Sequence, residues 1–473
     1  MVKTANPGLP MMTSSDRLRP DPARQGGDSR NMADRLERTM SPGRTGLLRL
    51  AARFAERRGE ALYLVGGFVR DLLLELPTSD FDLVVVGDAL ALAEDLSKDF
   101  GGSVVTHPRF GTAKWHLPRD PSRLRQALGP VNTEDLPATI DLATARTEIY
   151  DHPTALPTVE RGGIQNDLQR RDFTINTLAI RLEGPTYGEL LDPWGGGQDL
   201  QTRSIRVLHE RSFTDDPTRV LRAVRLEARL DFQIDPATLT LLDRSRPLLA
   251  EVSGERLRNE LDVILSEPES GRMVSRLAAL HLLPAIHPAL DWDGWLEDAF
   301  ARAGRFDPPR SWGLQGDSTV RALRYAVWVI RRSMAEAASW ADRLRVSRAE
   351  RAVWLQANQL FRELPRAMAR HEKVSALTAR MEAAGGPALA AVWLAHAAEP
   401  PVVRAVEDFL GQWRHVRPRT DGRALLELGI PAGPVYGRLI ERLRSGWLDG
   451  EITSDEQEIL LRTEWIAQES GHG

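Results

Sequence analysis

Apolar positions in the first half of the chain recur with two periods. Between Arg44 and Arg58 they fall at Leu47, Leu48, Leu50, Ala51, Phe54 and Ala55, the spacing of one helix face. The run Leu62 to Val65 is short, continuous and apolar, which predicts a strand. It breaks at Gly66-Gly67 and passes into a helix carrying Arg70 and Asp71. A loop with Pro77 and Ser79 leads to a second apolar strand that opens Asp80-Phe81-Asp82. Helical spacing returns over Ala89 to Phe100. The segments SVVTHPRFGTAKWHL and ATIDLATARTEIY then alternate as strands. Helix, strand, helix, strand, strand predicts a small mixed sheet flanked by helices. From Ser212 onward the pattern is helical almost to the end, so the fold class is α+β with a helical C-terminal half. Residues 1 to 40, rich in Pro, Gly, Ser, Asp and Arg without a period, read as a disordered tail.

Chemistry concentrates on these elements. Residues two apart on a strand share a face, so Asp80 and Asp82 point together while Phe81 turns inward. Paired carboxylates repel unless a cation lies between them, and Mg²⁺ takes one or two carboxylates together with substrate phosphates. Gly66 and Gly67 leave backbone N–H groups open to phosphate oxygens. The bland reading of the same residues is a turn-capping Asp pair beside a glycine turn. Asp141 sits mid-strand with Ile140 and Leu142 pointing the other way. It is a third carboxylate able to ligate metal or draw a proton from an attacking hydroxyl, or an edge-strand Asp facing solvent.

After a Pro- and Gly-rich loop (Asp151 to Gly163) come Arg170, Arg171, Asp172 and Asn176, a compact clamp for phosphate and ribose or a surface salt-bridge cluster. Leu190 to Leu200 (LLDPWGGGQDL) reads as a turn acting as a hinge. Further on, Thr214 or Asp215 is placed to cap a helix with Pro217 in its first turn. Asp216 and Arg219 would then be neighbours on one face, continued by Arg222 and Arg225. Alone, such a pair is a solvated ion pair. Beside a nucleotide, an Asp accepts from an exocyclic amino group and an Arg donates to the adjacent ring acceptor. Cytosine and adenine present that pattern; uracil and guanine do not.

Composition narrows the classes. At 473 residues the chain is too long for one core. It has no cysteine, which excludes disulfides, thiol nucleophiles and Cys-ligated zinc. No run spans a bilayer and no export signal is evident, so a cytoplasmic location is the expectation. The net charge of −4 makes any RNA-binding surface a local patch. Arginines from Arg302 to Arg348, interleaved with Trp312 and Trp328, mark one place for it, or are solvated faces over a core.

The strings GGFVRD and DFD resemble the head of class II tRNA nucleotidyltransferases and bacterial poly(A) polymerases, within the polymerase-beta-type nucleotidyltransferase superfamily. RRDFT-x-N at Arg170–Asn176 is similar to a second motif of that family, and Asp215, Asp216 and Arg219 to its E/D-D-x-x-R template, with Asp at the first position. The resemblance runs from about residue 45 to 265. Residues 421 to 452 look like a tail unit of the same family. It implies a catalytic head over 41–205, a neck over 206–268 that chooses the base, and a helical body and tail over 269–473 that bind tRNA.

The implied function is template-independent addition of CMP and/or AMP to a tRNA 3′ end, with CTP and ATP as substrates. Asp80 and Asp82 would hold Mg²⁺ and Asp141 would assist. Gly66, Gly67, Arg70, Arg171, Asp172 and Asn176 would bind nucleotide, and Arg222 and Arg225 would lie toward the triphosphate. CC-only, A-only and poly(A) addition remain alternatives, as does an inactive tRNA-binding protein. The loop from Tyr150 to Asp167 lies where the family carries an element that switches from C to A.

Overall fold

The computed structural model describes residues 31–77, 81–129, 132, 135–149, 158–312, 317–430 and 433–470. The chain divides into two compact units, one ending at Gln201 and the other beginning at Thr202.

The first unit opens with α1 (Ala33–Thr39) and α2 (Pro42–Arg57). The expectation of disorder fails over residues 31–40, while residues 1–30 lie outside the described residues. Met32, Leu36 and Met40 recur every four residues, form one helix face and are buried. The elements that follow are β1 (Ala61–Val65), α3 (Gly67–Leu73), β2 (Asp82–Val86), α4 (Ala89–Phe100), β3 (Ser103–His107), β4 (Thr112–His116), α5 (Ser122–Leu128) and β5 (Thr139–Thr144). Then come β6 (Arg146–Ile149), β7 (Thr158–Arg161), α6 (Ile164–Gln169), β8 (Ala179–Arg181), β9 (Leu190–Leu191) and α7 (Gly196–Gln201).

Seven strands form a mixed sheet in the order β3-β4-β5-β2-β1-β8-β9. β2 and β5 are parallel; the other neighbours are antiparallel. Tyr63, Val65 and Val84 pack on one face with Ala145, Leu168 and Ala179. The alternate residues Leu62, Leu64, Leu83 and Val85 are buried on the other face, where α2 lies on β1 and α4 on β4 and β5.

Each long strand segment read from the sequence is two strands. SVVTHPRFGTAKWHL turns at Pro108–Phe110 through Gly111, whose φ of 63° is left-handed, so β3 and β4 make a hairpin. ATIDLATARTEIY breaks at Ala145. β5 joins the main sheet, while β6 pairs with β7, whose residues 158–161 the sequence reading had placed in a loop. Residues 150–157 of that loop lie outside the described set.

The second unit is helical apart from the short pair Ser204–Ile205 and Gln233–Ile234. Helix Gly254–Ser266 packs directly on Asp317–Val329, joining the expected neck residues to the expected body residues. At its end, helices Gly422–Glu427 and Pro434–Leu448 enclose a core of Leu425, Leu439, Leu443, Ile452 and Trp465. Among the described residues no helix is long and apolar enough to cross a membrane.

Candidate active site

The cradle in the first unit forms where β1 ends. Gly66 has φ 71° and ψ −133°, a region essentially closed to residues with a Cβ. It turns the chain from β1 into α3, whose first residue is Gly67. The guanidinium of Arg171 lies directly over Gly66: a Cβ there would come within 2.7 Å of Arg171 Nη1. Arg171 Nη2 donates to Asp167 Oδ2 at 3.0 Å, while its buried Nε has no partner. Asp167 is fully buried and also accepts from Arg170 at 2.6 and 3.0 Å. Burial pushes its carboxyl up, but the guanidiniums of Arg171 and Arg170 outweigh that and hold it below the usual carboxylate range.

The rest of the clamp is a chain of side chains. Asp172 Oδ1 accepts from Asn176 Nδ2 at 2.8 Å, and Asn176 Oδ1 accepts from Arg70 Nη1 at 2.8 Å. Arg70 is 5 % exposed and also paired with Asp71 at 2.7 Å. It therefore fixes Asn176 rather than presenting an open guanidinium. Between Asp172 and Asn176 the chain makes a 3₁₀ turn at Thr174–Asn176. The glycines of LLDPWGGGQDL serve the local fold. Asp192 caps Gly196 and Gly197, and Gly196 approaches the Thr174 carbonyl too closely for any Cβ.

On the sheet, Asp82 begins β2 and its register partner on parallel β5 is Asp141. In-register neighbours point to the same side, about 5 Å apart. The edge-strand reading of Asp141 is overturned, because β5 lies between β4 and β2. Asp141 is 3.1 Å from Lys114 Nζ on β4, a partner that strand alternation alone does not reveal. Asp80 lies outside the described residues. Among the described residues no group of three His, Cys, Asp or Glu is placed to hold a metal. The hard oxygen donors of Asp82 and Asp141, on one exposed face, nevertheless suit a divalent cation.

In the second unit the expected helix starts later than read. Helix Arg219–Leu230 follows Pro217 and Thr218, and Asp216 precedes it in extended backbone. Asp216 and Arg219 are therefore not neighbours on one helix face. Asp216 Oδ1 accepts from Thr218 N at 3.0 Å, Thr218 Oγ1 at 2.6 Å and Arg256 Nη2 at 2.6 Å. Burial raises this carboxyl; Arg256, then Thr218, Arg222 and Arg219, lower it further, and the net direction is down. Arg219 Nη1 donates to Ser212 Oγ at 3.2 Å, and Arg222 Nε to Glu260 at 2.7 Å. Burial pulls the Arg225 guanidinium below its ordinary value, and its Nε has no partner. Arg256, 40 residues from Asp216, was missed as a member of this group. No local spacing rule reaches that far.

The poly A polymerase head domain matches residues 62–206, and the family described as a probable RNA and SrmB-binding site of polymerase A matches residues 231–293. An A-adding tRNA nucleotidyltransferase of Geobacter sulfurreducens is 34 % identical over 417 residues, covering 85 % of this chain and 45 % of that protein. Its counterpart in Halalkalibacterium halodurans is 38 % identical over 262 residues, 54 % of this chain and 57 % of that protein. The chain thus spans about half the length of these relatives. A solved CCA-adding enzyme, in an apo form, superposes with a TM-score of 0.75 at 29 % identity, covering 93 % of this chain and 99 % of that one.

Proposed function

We propose that this chain, which belongs to the family of class II tRNA nucleotidyltransferases and bacterial poly(A) polymerases, transfers AMP from ATP to the 3′ end of a tRNA. The observation that carries the chemistry is Arg171 over Gly66, a guanidinium held by Asp167 above backbone in a conformation that strongly favours glycine. A planar fork set over bare main chain is suited to phosphate oxygens. In the reaction the RNA 3′-oxygen bonds to the α-phosphorus, the bond to the β-phosphate oxygen breaks, and pyrophosphate leaves. Arg171 orients the triphosphate. Arg70 and Asp172 fix Asn176 for the sugar. Asp82, with Asp80, would hold Mg²⁺, which when bound supplies charge neutralisation and a more acidic 3′-hydroxyl. Asp141, tethered by Lys114, stands beside Asp82 as the third carboxylate. Asp216 and Arg219 serve as the base-reading pair, with Asp216 kept ionised by Arg256 so that it accepts from adenine N6.

Support for AMP as the transferred group comes from the two A-adding relatives. The superposition on a CCA-adding enzyme over nearly its whole length favours a second reading, addition of all three nucleotides. Full-length protein, Mg²⁺ and a tRNA transcript ending either at the discriminator base or at CC separate them. One A added to the CC-ended transcript with ATP, and nothing added to the other with CTP, is the expected result. Three nucleotides added to the discriminator-ended transcript establishes the second reading. A long A-tail, or no product from either transcript, overturns both.

A further inference from the structure

The helical unit contains a cavity of about 620 Å³ that the proposed chemistry does not use. Its walls include Phe306, Trp312 and Trp393, with ring centroids 5.6 to 5.9 Å apart. Trp393 is held by its edge: Nε1 donates to Glu407 Oε1 at 3.0 Å. Phe306 and Trp393 are only half-buried, so aromatic surface stays open to the cavity. Trp312 and Trp328 look alike in the sequence, but Trp328 is core, 1 % exposed, with its indole N–H on the Asp291 carbonyl. Trp312, 8 % exposed, contributes its ring to the cavity wall beside Phe306 and Trp393.

The surrounding charge is also selective. Of the ten arginines between positions 302 and 348, seven are hydrogen-bonded or ion-paired to carboxylates or carbonyls of the same unit. Arg305, Arg310 and Arg348 have no hydrogen-bond or ion-pair partner among the described residues, and all three are exposed. Two of these three flank the cavity: Arg305 lines it, and Arg310 lies between its lining residues Pro309 and Trp312. Ring faces beside uncommitted guanidiniums fit a nucleotide, since any base offers a π-face and its phosphate takes the charge. The carboxylates of Asp307 and Glu407 at the same opening can accept from a base amino group. An apolar peptide side chain would fill the aromatic walls but would pair with neither arginine.

We propose that this cavity seats an unstacked nucleobase of the RNA substrate, with Arg305 and Arg310 on its flanking phosphates. The inference rests on the tRNA reading above and adds a second point of RNA attachment. The test uses full-length protein and measures tRNA affinity by anisotropy across a salt series, quenching of tryptophan fluorescence by the single-stranded hexanucleotide (rA)₆, and the kinetics of nucleotide addition. R305E/R310E changes two exposed, unpartnered side chains, so its unfolding midpoint should match the wild type. It is expected to weaken tRNA binding at least about tenfold and to flatten the salt dependence by about two units of slope, raising KM for tRNA without lowering kcat. Trp393→Ala should weaken tRNA binding about tenfold, and Trp393→Phe, which keeps a ring face, should restore it.

Wild-type tRNA affinity in both R305E/R310E and Trp393→Ala overturns the proposal, whether or not (rA)₆ quenches, and leaves the cavity to a peptide. The two readings fail separately. A wild-type protein that binds tRNA through these residues but adds no nucleotide refutes the function alone. One that extends tRNA normally, with variants that bind like wild type, refutes the cavity alone. A wild-type protein that does not bind tRNA refutes both.

Discussion

Replacing Gly66 by Ala should disable nucleotide addition far more than it destabilises the fold. The backbone there, φ 71° and ψ −133°, costs a residue with a Cβ about 1–3 kcal/mol. In a unit of this size that lowers the melting point by roughly 2–12 °C. The added methyl also meets Arg171 Nη1 at 2.7 Å, so the guanidinium must leave its place above the turn. Losing a charged donor from the triphosphate removes about 1.5–3 kcal/mol. That corresponds to a drop of about ten- to a hundredfold in kcat/KM for ATP. Gly59→Ala separates the two effects. Gly59 has φ 70° but nothing within 4 Å of where its Cβ would be, so only the conformational cost applies and kinetics should be unchanged. The assay is initial-rate AMP incorporation at saturating tRNA with ATP varied, beside thermal unfolding of both variants. Wild-type kcat/KM in Gly66→Ala, or an equal loss of activity in Gly59→Ala, would refute the cradle.

Asp216→Asn keeps the shape that Thr218 caps against but gives Arg256 a neutral partner; we expect about 3 kcal/mol lower stability by urea unfolding. The preference for ATP over GTP should fall at least about tenfold, measured as a ratio of kcat/KM, and an unchanged ratio would remove Asp216 from base selection. His287 supplies a pH prediction. Burial, then the charge of Arg343, holds its imidazole below the ordinary value, and Nδ1 accepts from Ala289 N, leaving Nε2 to donate to Ser339 Oγ. The folded state takes the proton less readily than the unfolded one, so stability is complete above about pH 6.5 and falls as pH drops below it. Urea midpoints at pH 7.5 and 5.5 should differ less in His287→Asn than in the wild type; an equal fall in both rules His287 out.

What could be read from the sequence was whatever depends on near neighbours. Helix Ala89–Phe100 was legible to its ends because its stops are local: Asp88 caps Leu90 and Ala91, and Gly101 has φ 84°. The hairpin within Ser103–His116 was not, since alternation runs on through the turn and only the conformation of Gly111 marks it. Asp141 could be placed on a face but not in the sheet, because strand order joins segments far apart in the chain. The start of helix Arg219–Leu230 was misread for a different reason. Asp216 uses its side chain on Thr218, which places the cap after the acidic pair and takes Asp216 out of the helix. Arg70 was read as nucleotide-binding from its motif, but that reading could not show that it is buried against Asn176 and Asp71.

These cases share a logic of charge. A chain with a net charge of −4 that holds a polyanion, as proposed above, must ration its cations, and both units tie arginines to buried carboxylates. Asp167 fixes Arg170 and Arg171 so that one guanidinium is aimed while the other stays tied to Glu148 and Asp167. Asp216 is fixed by Arg256, and Glu260 takes Arg222. Such pairs add little net stability against an apolar replacement, but removing one partner is costly. Their return is geometric: they determine which few guanidiniums stay open. Arg305 and Arg310 in the second unit are of that kind, and Arg171 in the first, held by Asp167, keeps Nη1 over Gly66. A count of arginines along the sequence therefore overstates the charge left open, and what selects the open ones is the carboxylate or carbonyl that each of the others has already found.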